Sequence, residues 1–178
     1  MSEFIQGEDV RIHESSLMTR PNICKFGNHI AIDYGFYCTT RLTVGDYVHV
    51  SSHVAIIGGA MTSATLKDFS FVSSGTKIIC SSDNMLGDGL VGPFIPEPYQ
   101  DSRTSAPVVF EKFSGTGVNA VVLPGVVLAE GSILGANSLL KKSTEPWTIY
   151  VGNPAKPVKI RNKATIYRYA EELGYSHD

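Results

Sequence analysis

Residues 26–56 read FGNHIAIDYGFYCTTRLTVGDYVHVSSHVAI, and stepping through them by six gives Phe26, Ile32, Cys38, Val44, Val50 and Ile56. Every one is apolar. The position four residues on, Ile30, Phe36, Leu42, Val48 and Val54, is apolar as well. A helix face would need spacings of three and four. Strict alternation, as in a β-sandwich, explains a pair such as Val48 and Val50. It does not explain Gly, Asp or Ser returning at a fixed place in each hexad. A coil with three flat faces does, one hexad per face, with the apolar residue inward. Stacked coils then bury a continuous core and satisfy one another's backbone groups. The stretch predicts an all-β chain, a left-handed parallel β-helix.

Working outward, Leu66, Val72 and Ile78 keep the period, with Ser70 and Thr76 at the companion position. A third run places Val109, Gly115, Val121, Val127, Ile133 and Leu139 inward, with Phe113, Asn119, Gly125, Gly131 and Asn137 as companions. Gly115 then leaves a gap in the core or marks a close backbone approach. Two interruptions stand out. A four-residue excess with Gly58 and Gly59 bulges between Ile56 and Leu66. Residues 81–107, SSDNMLGDGLVGPFIPEPYQDSRTSAP, hold four Pro and three Gly and cannot form a coil face. An insert this long is usually functional, and Phe94, Ile95 and Tyr99 suggest that it packs on something. The expected layout is one domain over 1–178: coils at 10–80 and 108–140, an inserted loop at 81–107, and an extension at 141–178. The extension carries a helix at about 163–173, capped by Asn162, apolar at Ile166, Tyr169, Ala170 and Leu173, and ended by Gly174.

Composition narrows the function. Charged residues make up 18% and hydrophobic ones 43%, which excludes a disordered tail. A net charge of -2 argues against a general nucleic-acid binder. No run approaches the roughly 18 apolar residues of a membrane span, and the first residues lack the basic start and apolar stretch of a signal peptide. Cys24, Cys38 and Cys80 form neither a disulfide framework nor a metal-ligand spacing. The expectation is a cytoplasmic protein with free thiols and no metal.

The third run and its tail resemble the hexapeptide-repeat acyltransferases. The segments that carry the resemblance are Val121-Val122-Leu123-Pro124-Gly125-Val126, Gly135-Ala136-Asn137-Ser138 and Tyr150-Val151-Gly152-Asn153-Pro154-Ala155-Lys156. Upstream, Val48-His49-Val50-Ser51-Ser52, then Gly58-Gly59, Ser81-Ser82-Asp83-Asn84 and the Pro-rich insert are similar to the branch of bacterial sugar acetyltransferases in surface-polysaccharide synthesis. The resemblance covers about residues 10–161. It implies acetyl-CoA as donor, a sugar acceptor, a homotrimer and active sites between subunits. Asn84 departs from the pattern, since this branch often has a second Asp there.

Acetyl transfer needs a base for the acceptor and a donor for the tetrahedral oxyanion. Histidine titrates in the right range, and the chain has five, His13, His29, His49, His53 and His177. His13 and His29 lie near the first coil, and His177 is the next-to-last residue of the sequence. His49 precedes the inward Val50 and so points outward; by resemblance it matches the family's recurring histidine. His53, near a corner of the same hexad, is the alternative base. Asp83 is a candidate to orient the base, or a turn residue bound to its own loop. A backbone N–H of the Gly58–Gly59 bulge is a candidate oxyanion donor. For the CoA half, the candidates are Gly117, Gly135 and Ala136 along the late coil edge, Lys141, Lys142, Lys156 and Arg161 for phosphates, Trp147 for adenine, and Asn153-Pro154. The sugar half falls to the insert and the bulge. The favoured acceptor is the amine of a nucleotide-linked amino sugar used in O-antigen synthesis, and its rival is a sugar hydroxyl. An alternative of another class is a non-catalytic or carbonic-anhydrase-like scaffold.

Overall fold

The computed structural model describes residues 5–20 and 23–175, so His177 lies outside the described residues. The first coil is β1 (Ile5–Gln6), β2 (Val10–Ile12) and β3 (Leu17–Met18). The second is β4 (Lys25–Phe26), β5 (Ile30–Ile32) and β6 (Tyr37–Cys38), and the third is β7 (Arg41–Val44), β8 (His49–Val50) and β9 (Ala55–Ile57). The fourth is β10 (Ser63–Leu66), β11 (Phe71–Val72) and β12 (Lys77–Ile79). An antiparallel hairpin, β13 (Ser81–Asp83) with β14 (Arg103–Ser105), interrupts the column. The fifth coil is β15 (Val108–Phe110), β16 (Gly115–Thr116) and β17 (Val121–Val122), and the sixth is β18 (Val127–Leu128), β19 (Ile133–Leu134) and β20 (Leu139–Leu140). Then β21 (Thr148–Gly152) adds to the second face, β22 (Ala155–Ile160) folds back antiparallel on it, and α1 (Ala164–Glu172) follows. Each strand pairs in parallel with its counterpart one coil away, giving three sheets that are the faces of a prism.

The inward residues of the first two runs are those the period selects: from Phe26 to Ile56, then Leu66, Val72 and Ile78, all are buried. The third run differs by one residue. Phe110, Thr116, Val122, Leu128, Leu134 and Leu140 point inward, with Ser114, Ala120, Val126, Ser132 and Ser138 as companions. The physical reason is that this run carries apolar residues side by side, as in Val121-Val122, Ile133-Leu134 and Leu139-Leu140, so two adjacent registers fit the period equally. The residues expected as companions are instead the corners. Phe113, Asn119, Gly125, Gly131 and Asn137 all have left-handed backbone, with φ between 54° and 79°.

Gly115 therefore faces outward. A Cβ there would come within 2.5 Å of the Phe71 ring, its register partner one coil earlier. Thr116 takes the inward place, and its hydroxyl meets that of Thr76 at 3.1 Å.

One edge of the prism, between the first and second faces, carries an aromatic stack. His29, Tyr47, Phe69 and Phe113 occupy successive corners with ring centroids 4.6, 4.9 and 5.1 Å apart. Trp147 continues the column at 6.0 Å from Phe113. α1 packs against this stack through Ile166, Tyr167 and the buried Ala170. The Asn162 side chain accepts the Ala164 N–H at 3.0 Å. Among the described residues no helix is long and apolar enough to cross a membrane.

Candidate active site

His49 points outward from β8 because its strand neighbour Val50 fills the core. The registers define an outward column on the second face: Arg11, Ala31, His49, Phe71, Gly115, Ile133 and Ile149, one residue per coil. Asp33 follows the inward Ile32, so it too faces out, one coil below His49. Its Oδ2 lies 2.9 Å from His49 Nε2. The pair is half-exposed, open to a substrate and yet fixed in ring orientation. A carboxylate on one imidazole nitrogen leaves the other to take a proton from an acceptor.

His53 occupies a left-handed corner with φ 58°. Its ring meets Tyr34 edge to face at 5.2 Å, and Tyr34 meets His13 likewise at 5.3 Å. The His53 carbonyl accepts Lys77 Nζ at 3.1 Å. The described geometry gives His53 an aromatic partner and gives His49 a carboxylate.

Asp83 lies elsewhere. Arg103 Nε donates to its Oδ1 at 3.0 Å across the β13–β14 hairpin, and Ser81 Oγ meets Ser105 Oγ at 2.6 Å. Asn84 is committed to the same hairpin, accepting Thr104 Oγ1 at 2.7 Å and donating to Ser102 Oγ at 2.9 Å. With Gly58 and Gly59 the hairpin lines a pocket of about 210 Å³. The close approach there needs glycine: a Cβ on Gly58 would lie 2.6 Å from Thr62 Cγ2 and 2.7 Å from Cys80 Cβ. The hairpin leaves the prism after β12, at the edge between the third and first faces. That edge is opposite the second face, so a single chain does not bring Asp83 to His49. The residue sequence reasoning missed as a partner is Asp33. It was findable, since a coil of three hexads places residue 31 beneath 49 and residue 33 two further along.

Of the residues expected to hold CoA, several converge. Lys141, Lys142, Pro154 and Lys156 line one cleft of about 440 Å³ with Leu140, Ser143, Tyr150, Ala155 and Pro157. It lies at the late end of the prism. Lys141 and Lys142 leave β20 at the same edge as the hairpin. Gly117, Gly135 and Ala136 stack on successive coils, so that a Cβ on Gly117 would meet the Ala136 backbone nitrogen at 2.5 Å. Asn153 and Pro154 are joined by a cis bond in the turn between β21 and β22. Two residues have other tasks. Trp147 is only 7% exposed; Tyr167 packs on it edge-on at 5.0 Å and Arg161 sits over its ring at 5.7 Å. It closes the cap, and that packing leaves no open face for adenine. Arg161 donates to the carbonyls of Phe113 and Gly131 at 2.8 and 3.1 Å, and its burial lowers its pKa. Among the described residues no group of three or more His, Cys, Asp or Glu is placed to hold a metal.

Stacked hexad coils with an outward histidine and a late basic cleft define a class, the left-handed parallel β-helices of the hexapeptide-repeat type. A hexapeptide-repeat-containing acetyltransferase from Vibrio cholerae shares the fold, with a TM-score of 0.62 and 17% identity over 88% of this chain and 73% of its own. The chain is 31% identical to dTDP-4-amino-4,6-dideoxy-D-glucose acyltransferase of Escherichia coli, over 88% of this chain and 82% of the relative. It thus belongs to the hexapeptide-repeat sugar acyltransferases. A point mutant of AntD, an N-acyltransferase from Bacillus cereus, solved with dTDP-4-amino-4,6-dideoxyglucose and coenzyme A, superposes with a TM-score of 0.92. The identity is 29%, and the match covers 98% of this chain and 92% of that one. No protein-family model matches the chain.

Proposed function

We propose that the protein transfers the acetyl group of acetyl-CoA to the amine of a nucleotide-linked amino sugar destined for a surface polysaccharide, such as an O-antigen. The observation that carries this reading is the Asp33–His49 pair, an imidazole fixed at 2.9 Å by a carboxylate on an otherwise open face. The similarity to enzymes named for, or bound to, a dTDP-linked amino sugar supports the acceptor class.

In this reading His49 accepts a proton from the acceptor nitrogen as that nitrogen bonds to the thioester carbonyl carbon. The oxyanion is held by a backbone N–H of the glycine bulge of the neighbouring copy. When the intermediate collapses, the C–S bond breaks and the CoA thiolate takes the proton back from His49. Asp33 holds the ring in place during the step. Lys141, Lys142 and Lys156 hold the phosphates of CoA.

The reading requires a homotrimer. The second face with His49 lies opposite the edge that carries the hairpin and the lysines, so a complete site combines that face of one copy with that edge of the next. Asp83 and Arg103 then come to the sugar from the neighbouring copy. The apolar insert supports such contacts: Phe94 is 95% exposed, Leu86 74% and Met85 70%. A cytoplasmic location is part of the proposal, and three free cysteines support it.

The test is release of free thiol from acetyl-CoA against a panel of nucleotide-linked amino sugars and the matching sugars with a hydroxyl in place of the amine. Turnover with the amines supports the proposal. Turnover with the hydroxyl sugars alone makes the protein an O-acetyltransferase, and no turnover with either removes the assignment.

A further inference from the structure

Beyond His49 the second face is crossed by two unequal rungs. The fourth coil runs from the corner Phe69 through Phe71 to Ser73, and the fifth from the corner Phe113 through Gly115 to Gly117. Phe71 is the register partner of His49 on one side and of Gly115 on the other, so its backbone stands about 4.8 Å from that of the base. Its ring leans toward the later coils. A Cβ on Gly115 would lie 2.5 Å from the Phe71 Cζ and 2.6 Å from both Cε atoms, so the outer edge of the ring is seated on bare glycine backbone. Gly117, two residues further along, carries no side chain either. The face is thus divided, with a ring on the side of the aromatic edge and glycine backbone on the other.

Behind the ring lies a cleft of about 300 Å³, at the small end of the roughly 300–1,000 Å³ usual for ligand pockets. Phe69, Phe71 and Phe113 line it from the prism, and Ile166, Ala170 and Leu173 line it from α1 and the residue that follows. Among the described residues that line it, Arg161 alone carries a charge, and its guanidinium is engaged by the carbonyls of Phe113 and Gly131. A cleft of this composition suits a hydrocarbon and leaves a phosphate or a sugar without partners.

We propose that Phe71 sets the length of the acyl group: its ring is the partition between the thioester and this cleft, and it holds the donor to acetyl. The inference rests on the acetyl-CoA reading above and adds the residue that selects the donor. With CoA on the glycine side of the face, where Gly117 and Gly135 stack, the thioester comes to His49 from beside Phe71. Acyl carbons beyond the carbonyl then point along the rung toward the aromatic edge. An acetyl methyl ends short of the ring, and each further methylene meets it. With the ring gone, the same carbons enter the cleft. One methylene more or less in an apolar pocket changes kcat/KM by roughly 10–200-fold, so a single partition is enough to choose between donors.

The experiment measures kcat/KM for acetyl-CoA, butyryl-CoA and hexanoyl-CoA, with a nucleotide-linked amino sugar as acceptor. The proteins are wild type, Phe71→Ala, Phe71→Leu and the double variant Phe71→Ala with Leu173→Trp. Wild type is expected to prefer acetyl-CoA to hexanoyl-CoA by at least roughly a hundredfold, and Phe71→Ala to raise the hexanoyl-to-acetyl ratio at least roughly tenfold. Leu173 is exposed, and a tryptophan there fills the cleft from the α1 side, so the double variant should lose that gain. A ring that only supported the fold would give no gain for a bulky residue on the opposite wall to remove. Phe71→Leu keeps apolar cover on Gly115 while shortening the partition, so it carries the test if Phe71→Ala does not fold. The partition is overturned, and the parent reading stands, if wild type uses hexanoyl-CoA and acetyl-CoA equally well, if the ratio is unchanged in a folded Phe71 variant, or if the gain survives Leu173→Trp. If wild type acylates no nucleotide-linked amino sugar from any of the three donors, both fall.

Discussion

His49 and Asp33 are 16 residues apart in sequence and 2.9 Å apart in space. Replacing His49 with Ala is expected to lower kcat by roughly 10²–10⁴-fold, the usual contribution of a general base. Its exposed side chain is not needed for the core, so the circular-dichroism melt should not move. Asp33→Ala should reduce kcat less, because it leaves the imidazole in place but unheld. A His49→Ala enzyme with near-normal turnover would shift the base to His53 or remove histidine from the mechanism. Gly115 gives a second prediction. A methyl there meets the Phe71 ring at 2.5 Å, so Gly115→Ala should destabilise by about 1–3 kcal/mol through overpacking, read as a lower urea midpoint. The sequence made Gly115 conspicuous but assigned it to the core. Its true environment depends on Phe71, which lies 44 residues away across the inserted hairpin, and no local pattern reports that pairing.

Elements divide by how much their periodicity constrains them. The coils of residues 26–79 were legible because one hexad position is apolar and its strand neighbours, Lys25, Ala31, Tyr37, Thr43 and His49 among them, are mostly polar, small or amphipathic. Residues 108–140 fix the fold but not the register, since both members of Val121-Val122 or Leu139-Leu140 are oily. The cap was legible only as a helix; what it covers, the aromatic edge with Trp147, required the corners to be known. Trp147→Ala should cost about 3–5 kcal/mol, as for a buried aromatic, and lower Tm. Little loss would mean that α1 is not docked on this edge in solution. Cys80, stacked beneath the glycine bulge, makes a pH prediction. Burial pushes its thiol from about 9 up to about 11, so between those values the unfolded chain has lost a proton that the folded chain retains. Folding stability must therefore fall as pH rises from 9 towards 11. Urea unfolding at pH 8 and pH 10 should show a smaller decline for Cys80→Ala than for wild type; equal declines would contradict it.

At the scale of the molecule, the prediction is a trimer by sedimentation at micromolar concentration, with a stable monomer as the contrary result. Charge reversal at Lys141 and Lys142 should raise the KM for acetyl-CoA and leave that for the sugar nearly unchanged. Loss of sugar binding with acetyl-CoA binding kept would invert the two halves of the site. The insert shows the limit plainly. Its composition announced that Phe94 and its neighbours pack on something, and the structure leaves Phe94 95% exposed.

A column of coils is also a ruler. Every coil adds the same rise, about 4.8 Å, and in the proposed trimer copies related by a threefold axis along the column would keep their graduations level. His49 stands on the third mark and the lysine cleft just beyond the sixth, so the reach demanded of the donor is set by counting coils. It survives substitutions in the core, loop growth at 81–107 and drift in side-chain packing, because none of these changes the count. Excising one full turn of the third run would shorten the scale by one graduation while leaving every catalytic group intact. Chemistry would then fail through mismatch with the length of the pantetheine arm.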